Sequence, residues 1–323
     1  MSKIRVGVEA LISDSLLHGF PSESEIVRIP AEPASPIEVD FWVAPIEASA
    51  ARLQWPLLRG VKVVQSLYAG VDALLKIVPR EVTLCDARGV HDTPIAEWAV
   101  GAILAMQKYF PFYLDLQRSR NWHGRNAAEY IYALRKDAVL DEHSPTLVDE
   151  LADSTVLIVG YGSIGEAIER RLAPFGVHIL RVARGARPGV SPIAGLDALL
   201  GLADIVVCIL PLTPETHHLL DARRIASMKP GALLVNAGRG ATIDTQALID
   251  ALEQKRIRAA VDVMEQEPLP EESPLWSAPN LLLTPHVAGD TARFMARALN
   301  LAAAQATRFV LGQPLHNIVT GDY

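Results

Sequence analysis

The chain has 323 residues, of which 50% are hydrophobic and 21% charged, and its formal net charge is −7. This composition is typical of a globular protein and excludes a disordered chain. The acidic balance argues against a nucleic-acid partner, which normally requires a basic patch or domain. At roughly 150 residues per domain, the length indicates two domains or one large α/β unit.

Only two cysteines occur, Cys85 and Cys208, too few for a disulfide framework. We expect both to be reduced in a cytoplasmic protein. Neither belongs to a CxxC pair, and no His/Cys cluster has zinc spacing, so the sequence predicts no metal site. The longest apolar run, residues 205–210, is far shorter than the roughly 20 residues of a membrane span. We therefore expect a soluble chain without a membrane partner.

The N-terminal part carries short β-type runs at residues 4–8, 41–44, 61–65 and 82–86. Their alternation with helical stretches predicts a small parallel sheet with helices. A strongly apolar helix is predicted from Pro94 to about residue 120. A helix this apolar is expected to pack against another domain or another subunit, which favours a homodimer. Residues 122–147 are more polar and are interpreted as a loop.

From residue 154 onward, apolar strands and helical segments alternate regularly. Strands are predicted at residues 155–159, 178–183, 204–210, 232–236, 259–263 and 281–284. Strands that alternate with helices at this spacing form a doubly wound parallel sheet.

A glycine-rich turn follows the first of these strands, where Gly160-Tyr-Gly162-Ser163-Ile164-Gly165 matches GxGxxG. Gly160 suits the tight turn, Gly162 lets the backbone approach a pyrophosphate, and Gly165 permits close helix–strand packing. The helix N-terminus then offers N–H groups and a positive dipole end to the phosphates. The alternative is a turn that binds nothing, but a strand before the motif and an amphipathic helix after it favour a dinucleotide.

The end of the second strand bears on which dinucleotide binds. NAD-binding units usually place Asp or Glu there to hold the ribose 2′-OH. Here Ala183 occupies that position, and Arg184 and Arg187 follow. Arginine pairs with a 2′-phosphate through its planar fork, whereas a carboxylate would repel it. The sequence therefore favours NADP(H), with NAD(H) as the alternative if both arginines are merely solvated loop charges.

Charged residues follow three later strands at the edge where α/β sheets bind ligands. Arg239, Glu267 and His286 each come shortly after an apolar strand. Such groups are costly to bury without partners. Together they indicate a site for an anion and a carbonyl, with a paired acid and base.

The whole chain resembles the D-isomer-specific 2-hydroxyacid dehydrogenases. The motifs that carry this resemblance occur in the family's order and include, besides the glycine-rich turn, Ser66-Leu-Tyr-Ala-Gly-Val-Asp72, Pro94-Ile-Ala-Glu97, Pro211-Leu-Thr-Pro-Glu-Thr216, Asn236-Ala-Gly-Arg-Gly240, Asp262-Val-Met-Glu-Gln-Glu-Pro268 and Thr284-Pro-His286. The resemblance implies an α/β fold with two Rossmann-like, doubly wound parallel-sheet domains of flavodoxin-like type. A dinucleotide-binding domain, residues 99–287, would be inserted into a discontinuous substrate domain, residues 1–98 and 288–323.

The resemblance also implies roles for the charged residues. Arg239 would bind the carboxylate of a 2-oxoacid and polarise its carbonyl, and protonated His286 would donate to the carbonyl oxygen. Glu267 would orient the imidazole and stabilise its charged form. The family's acid stands directly before a proline, which selects Glu267 over Glu265.

Further residues match positions that contact ligands in the family. The substrate loop would be Leu67, Tyr68, Ala69 and Gly70, whose N–H groups would hold the carboxylate. Asp262 would accept from the nicotinamide carboxamide. The other positions expected to line the cofactor cleft are Ile95, Leu210, Pro211, Thr216, Ala237, His286 and Gly289.

These features predict an NADPH-dependent reductase that converts a small 2-oxoacid, most like glyoxylate or hydroxypyruvate, into the D-2-hydroxyacid. Two alternatives stay open. One is a dinucleotide-sensing corepressor or scaffold on the same fold, and the other is a D-3-phosphoglycerate dehydrogenase.

Overall fold

The structure is a computed structural model that describes residues 3–126 and 150–320. It divides into two compact units. Unit 1 comprises Met1–Asp92 and Asp290–Tyr323, and unit 2 comprises Thr93–Gly289. One unit is thus continuous in sequence, and the other is formed by both ends of the chain.

Unit 1 contains a five-stranded parallel sheet in the order β2-β1-β4-β6-β7 and a separate two-stranded pair, β3 and β5. Its strands are β1 (Ile4–Glu9), β2 (Ser24–Ile29), β3 (Ile37–Glu38), β4 (Phe41–Val43), β5 (Leu58–Arg59), β6 (Val63–Gln65) and β7 (Thr83–Cys85). Parallel strands require crossover connections, and these place helical segments against both faces of the sheet.

Each face of the unit 1 sheet has its own apolar core. On one face, the C-terminal helix α8 (Phe294–Val310) packs its buried residues against Val6, Phe41 and Val63. On the other face, α1 (Ala48–Gln54) contributes Ala51 to a cluster around Trp42 and Val64. The two ends of the chain therefore share one hydrophobic core.

Unit 2 contains a seven-stranded parallel sheet in the order β10-β9-β8-β11-β12-β13-β14. Its strands are β8 (Thr155–Val159), β9 (His178–Ala183), β10 (Ser191–Pro192), β11 (Ile205–Cys208), β12 (Leu233–Asn236), β13 (Arg258–Val261) and β14 (Leu281–Leu283). The chain proceeds outward from β8 in one direction and then in the other. The order therefore reverses between β8 and β11, which is where doubly wound sheets bind dinucleotides.

Helices cover both faces of this sheet. The described helices of unit 2 are α2 (Asp92–Gln107), α3 (Phe110–Arg118), α4 (Ser163–Leu172), α5 (Leu196–Leu200), α6 (Ala222–Ser227) and α7 (Thr245–Glu253). Side chains of α2 and α4 pack on one face of β8 and β11, and those of α5, α6 and α7 pack on the other. The predicted α/β fold, with two doubly wound parallel-sheet units, is confirmed.

The structure differs from the sequence expectation in the helix that begins near Pro94. The prediction of a single helix to about residue 120 is wrong, because Tyr109 adopts a left-handed backbone (φ 54°) between α2 and α3. The apolar face of α2 packs inside unit 2, where Ala96, Ala99 and Ile103 are buried. A second subunit is therefore not needed to explain its apolar character, and the homodimer stays a prediction.

The predicted boundary between residues 98 and 99 falls inside α2, whereas the contacts divide the chain at the start of that helix, after Asp92, and again after Gly289. Because α2 packs as one rigid element, its first turns belong to unit 2 together with the rest of the helix. Strand β2 was not predicted from the sequence. Of the predicted 122–147 loop, only the short 3-10 turn Trp122–Asn126 lies within the described residues.

Along residues 3–126 and 150–320, no helix has both the length and the apolar character that crossing a bilayer requires.

Candidate active site

The glycine-rich turn lies at the point where the strand order reverses. Gly160 ends β8 with φ 103°, and a Cβ there would stand 2.2 Å from the carbonyl oxygen of Ile209, just after β11. The amides of Gly160 and Tyr161 both donate to the carbonyl of Val182 at 2.9 Å. Only glycine fits this turn, because the position needs both a left-handed backbone and close contact with the neighbouring strand.

Gly162 has the space that a phosphate-binding glycine requires. A Cβ built on it would meet no atom within 4 Å, so its small size is not needed for internal packing. It precedes α4, whose N-terminus has no side-chain cap. The first amides of a helix lack an intrahelical acceptor and carry the positive dipole end. Ser163 and Ile164 open this helix, so the residues present fit a pyrophosphate.

Gly165 serves packing within the motif, because a Cβ there would lie 3.0 Å from the carbonyl oxygen of Gly160 and 3.2 Å from Ile158. The three glycines thus have separate physical reasons. Gly160 makes the turn, Gly165 permits close helix–strand packing, and Gly162 leaves open space in front of the helix.

The two arginines after β9 are in different surroundings. Ala183 ends the strand, and Arg184 follows it as an exposed side chain. Arg187 instead donates to the carbonyl oxygen of Tyr161 and places its guanidinium carbon 5.5 Å from the centre of that ring. Arg187 is therefore attached to the glycine-rich turn, whereas Arg184 extends toward solvent.

Tyr161 also contacts the partly buried ion pair between Arg181 and Glu169. The guanidinium of Arg181 lies 5.6 Å from the Tyr161 ring centre and donates from both Nε and Nη2 to Glu169. The hydrogen bond from Arg181 holds the pKa of Glu169 below its usual value. The turn between β8 and α4 is thus held in place by side chains of β9 and α4.

Arg239 follows β12 in a turn shaped by buried polar groups. The amide of Asn236 donates to the Arg239 carbonyl oxygen at 3.1 Å, and the Thr242 hydroxyl donates to the same oxygen at 2.6 Å. Arg239 itself is half-buried and donates from Nη1 to Gly238 at 2.9 Å. A Cβ on Gly240 would lie 1.9 Å from the carbonyl carbon of Met264, so this turn packs directly against the loop after β13.

That loop brings Glu267 and His286 together. Nδ1 of His286 lies 2.7 Å from Oε2 of Glu267, and Oε1 of Glu267 accepts a hydrogen bond from the Met264 amide at 2.9 Å. The side chain of His286 is 52% exposed. One edge of the imidazole is therefore paired with a carboxylate, while the ring remains accessible.

The backbone of His286 is also held. It adopts a left-handed conformation (φ 54°), and its amide donates to the carbonyl oxygens of Asp262 at 2.7 Å and Thr284 at 3.0 Å. Left-handed backbone is uncommon for residues other than glycine and marks a position that the surroundings enforce.

The Asp262 carboxylate is occupied by the segment around His286. Its Oδ1 accepts from the Thr284 hydroxyl at 2.5 Å and the Val287 amide at 2.9 Å, while Oδ2 accepts from the Ala288 amide at 2.9 Å. Asp262 is 1% exposed. Its geometry is that of a residue that positions the His286 segment, and the expected role toward the nicotinamide carboxamide stays a prediction.

Two residues of this network were assigned no role from the sequence. Trp98 of α2 donates from Nε1 to the Thr284 hydroxyl at 3.1 Å, and Thr284 in turn donates to Asp262. Thr284 belongs to the Thr-Pro-His motif, which could have drawn attention to it. Nothing in the sequence pairs it with Trp98, which is 186 residues away.

Other predicted cofactor residues of unit 2 lie in loops at the same edge of the sheet. Thr216 bridges its own loop, since its hydroxyl donates to the Pro211 carbonyl at 2.7 Å and accepts from the Thr213 amide at 2.7 Å. The remaining positions follow β11, β12 and β14 or lie on α2: Leu210 and Ala237 are buried, and Ile95 and Gly289 are half-buried.

The predicted substrate loop, Leu67 to Gly70, follows β6 in unit 1. Leu67 is buried, and the Tyr68 amide donates to the Ser66 hydroxyl at 3.0 Å, while the Tyr68 carbonyl accepts from the Ala87 amide at 2.9 Å. The Tyr68 amide is thus engaged within the loop rather than directed to a ligand.

The Tyr68 side chain belongs to a group of three rings in unit 1. Its ring stacks on His91 with centres 5.2 Å apart and on Phe294 with centres 5.1 Å apart. Burial raises the pKa of the Tyr68 hydroxyl, and the carboxylates of Asp290 and Glu47 add to this. The ring packing keeps the loop conformation tied to α8.

A histidine–carboxylate pair at the edge of a doubly wound sheet that also carries a glycine-rich turn is typical of dinucleotide-dependent oxidoreductases. Comparison with known proteins identifies the family. The sequence model of the D-isomer specific 2-hydroxyacid dehydrogenase NAD-binding domain matches residues 101–288. This chain belongs to the D-isomer specific 2-hydroxyacid dehydrogenase family, as its motifs indicated.

Similar proteins include a glyoxylate reductase of Thermofilum pendens, 32% identical over 262 residues that cover 78% of this chain and 73% of the relative. Glyoxylate/hydroxypyruvate reductase B of Citrobacter koseri is 48% identical over 145 residues, 42% of this chain and 44% of the relative. The crystal structure of an NADPH-dependent glyoxylate/hydroxypyruvate reductase of Sinorhizobium meliloti, with NADP and sulfate, has a TM-score of 0.79, 29% identity and 98% coverage of both chains.

Proposed function

We propose that this NAD(P)-dependent 2-hydroxyacid dehydrogenase reduces a small 2-oxoacid, such as glyoxylate or hydroxypyruvate, with NADPH to give the D-2-hydroxyacid. The observation that carries the proposal is the 2.7 Å contact between His286 Nδ1 and Glu267 Oε2 at the carboxyl edge of the unit 2 sheet. The reductases of Thermofilum pendens and Citrobacter koseri support the substrate class.

In this mechanism His286 is the proton donor. With Nδ1 donating to Glu267, the transferable proton resides on Nε2, the other ring nitrogen. Glu267 stabilises the imidazolium by its negative charge and is itself held by the Met264 amide. In the reverse direction neutral His286 accepts the proton of the hydroxyl group.

Arg239 is proposed to bind the substrate carboxylate and polarise the carbonyl. Its guanidinium offers five N–H donors in a planar fork, and Nη1 already anchors it to Gly238 at 2.9 Å. In unit 1 the Leu67–Gly70 loop is proposed to bind carboxylate as well. The Tyr68 amide donates to Ser66 within the loop, so it is not proposed as a carboxylate donor.

The dinucleotide would be held by the turn from Gly160 to Gly165, the N-terminus of α4 and the loops after β11 and β12. When bound, its nicotinamide supplies the hydride. The space in front of Gly162 is the structural feature that fits the pyrophosphate.

NADPH preference is proposed from the end of β9. Ala183 offers no carboxylate to the ribose 2′-OH, and exposed Arg184 would pair with a 2′-phosphate. Arg187, by contrast, holds the Tyr161 carbonyl. The Sinorhizobium meliloti relative, described as NADPH-dependent, supports the preference.

Replacing each arginine separately tests this division. We expect Arg184→Ala to lower kcat/KM for NADPH by roughly tenfold to a hundredfold, the equivalent of one charged hydrogen bond, and to leave the value for NADH unchanged. Arg187→Ala should reduce both alike, since it loosens the shared glycine turn. Equal use of NADPH and NADH by the unaltered enzyme would contradict the NADPH proposal.

The substrate is tested by following NADPH oxidation at about 340 nm with a panel of 2-oxoacids. We expect glyoxylate and hydroxypyruvate to be the best substrates. Faster NADPH oxidation with 3-phosphohydroxypyruvate, the 2-oxoacid that corresponds to D-3-phosphoglycerate, would favour the phosphoglycerate dehydrogenase alternative. Cofactor binding without turnover of any acid would favour a dinucleotide-sensing corepressor or scaffold.

The assembly and location are also proposals. We propose a cytoplasmic homodimer, and the two buried, unpaired cysteines are consistent with a reducing compartment. Light scattering coupled to size exclusion tests the dimer, and a monomeric mass at working concentration would exclude it.

A further inference from the structure

A second histidine–glutamate group lies near the first but shares no residue with it. Nε2 of His218 is 2.9 Å from Oε1 of Glu265, and the rings of His217 and His218 stack with centres 4.0 Å apart. One ligand atom from each of these three residues lies within 4.8 Å of the others. Within residues 3–126 and 150–320, no other group of three histidine, cysteine or acidic side chains meets this condition.

The backbone explains how two consecutive histidines converge. His218 adopts a left-handed conformation (φ 48°), and its amide donates to the Ala241 carbonyl at 2.8 Å. Leu220 continues this pairing as a parallel bridge to Ile243. The segment that carries both rings is therefore anchored to the segment after Arg239.

Glu265 is oriented from its other side. Its Oε2 accepts a hydrogen bond from the Thr245 hydroxyl at 2.8 Å, at the start of α7, while Oε1 is directed to His218. Carboxylates that ligate metals in proteins are themselves oriented by hydrogen bonds, as Glu265 is by Thr245.

We propose that His217, His218 and Glu265 bind a divalent transition-metal ion, with Zn²⁺ as the best fit. Two imidazoles and one carboxylate are borderline donors that suit zinc, cobalt or nickel rather than magnesium or calcium. Bonds of about 2.0–2.2 Å place tetrahedral donors roughly 3.3–3.6 Å apart. The three donor atoms lie within 4.8 Å of one another, and the side chains have room to move closer because all three are at least partly exposed.

The location gives the site a consequence for the enzyme. Glu265 is in the same loop as Glu267, and the Met264 amide between β13 and Glu265 donates to Glu267. An ion bound to Glu265 would hold this loop through a group separate from the His286 pair. The proposal does not depend on the identity of the 2-oxoacid or of the dinucleotide.

Metal titration of the full chain, stripped of metal beforehand, tests the site. We expect one Zn²⁺ per chain by calorimetry, a visible absorption band when Co²⁺ replaces it, and no binding of Mg²⁺. His217→Ala, His218→Ala and Glu265→Gln should each weaken Zn²⁺ binding at least tenfold. Thr245→Val should weaken it by roughly tenfold to a hundredfold, as expected for loss of an outer hydrogen bond.

Matched controls identify which histidines are involved. Two variants should bind Zn²⁺ with the affinity of the unaltered protein. One is His178→Ala, exposed at the start of β9, and the other is His286→Ala, in the pair with Glu267. His217→Ala is the variant least disruptive to the fold, because the side chain is exposed. Its Tm in EDTA should equal that of the unaltered protein. Added Zn²⁺ should raise Tm only in the unaltered protein and the controls. Unchanged affinity in His217→Ala and His218→Ala, or loss in His286→Ala alone, would overturn the proposal.

Discussion

The imidazole of His286 and the carboxylate of Glu267 lie on neighbouring loops after β14 and β13, with Nδ1 and Oε2 only 2.7 Å apart. This contact occupies Nδ1 and leaves Nε2 as the nitrogen that would transfer a proton in the proposed reaction. Through Glu267 it also connects His286 to the Met264 amide, which holds the other carboxylate oxygen at 2.9 Å.

His286→Ala is expected to retain dinucleotide binding and to lose 2-oxoacid reduction by roughly a hundredfold to ten-thousandfold, the usual contribution of a positioned general acid. Cofactor affinity is measured by fluorescence titration and turnover by NADPH oxidation. His178→Ala, exposed on β9, is the matched control and should behave as the unaltered enzyme. An unchanged kcat in His286→Ala would refute the proton-transfer role.

Glu267→Gln should lower kcat by roughly tenfold to a hundredfold, because a neutral amide replaces a charge-assisted partner of His286. The fold should be retained, since the side chains are nearly identical in size. Glu265→Gln provides the comparison two positions away in the same loop. Equal losses in the two variants would show that the charge of the loop, rather than the contact with His286, matters.

Asp262→Asn is expected to destabilise the protein by roughly 1–3 kcal/mol, because at least one of the donors Thr284, Val287 and Ala288 loses its acceptor on the buried Asp262 side chain. Urea unfolding measures this, and kcat should fall as the His286 segment shifts. Asp153→Asn, at an exposed site, should change neither quantity. If stability were unchanged while the KM for the dinucleotide rose, Asp262 would instead act directly on the cofactor.

Gly162→Ala separates phosphate binding from folding. A methyl group there meets no protein atom within 4 Å, so thermal stability should be retained while dinucleotide affinity falls at least tenfold. Gly101→Ala, on the exposed face of α2 with equally open surroundings, should leave affinity unaltered. Full affinity in Gly162→Ala would remove the pyrophosphate from this turn. Gly160→Ala should fail for a different reason, since its Cβ would overlap Ile209.

The two thiols should be unreactive in the folded protein. Burial, with a contribution from Asp86, raises the pKa of Cys85 to about 12, and burial raises that of Cys208 to about 11. Because the thiolate is the nucleophile, a disulfide reagent at mildly alkaline pH should modify neither residue at an appreciable rate. Both should react promptly in concentrated guanidinium chloride. Rapid modification of the native protein would contradict this.

Much of unit 2 could be predicted because its signals are local. The strands 155–159 and 178–183 match β8 and β9 as observed, since a buried parallel strand is a continuous apolar run. Strand β2 in unit 1 carries no such signal, because its residues, Ser24–Ile29, form no continuous apolar run, include two charges and bury only Ile29. The break between α2 and α3 rests on the left-handed backbone of Tyr109 (φ 54°), which hydrophobic periodicity does not predict.

The sequence by itself determined which residues lie at the ligand-binding edge of the unit 2 sheet. Gly160, Glu267 and His286 stand at strand ends, and the edge of a parallel sheet brings such ends together whatever the other side chains do. Short-range patterns encode this, so the family and the general chemistry were accessible from the linear chain.

Only the tertiary structure decided how each of these residues is engaged. It assigned the Asp262 carboxylate to the His286 segment, Arg187 to the Tyr161 carbonyl and the Tyr68 amide to Ser66. It also brought His218 to Glu265, 47 residues further along the chain. Hydrogen bonds between distant residues depend on directions and distances set by packing, and no periodicity in a sequence records them.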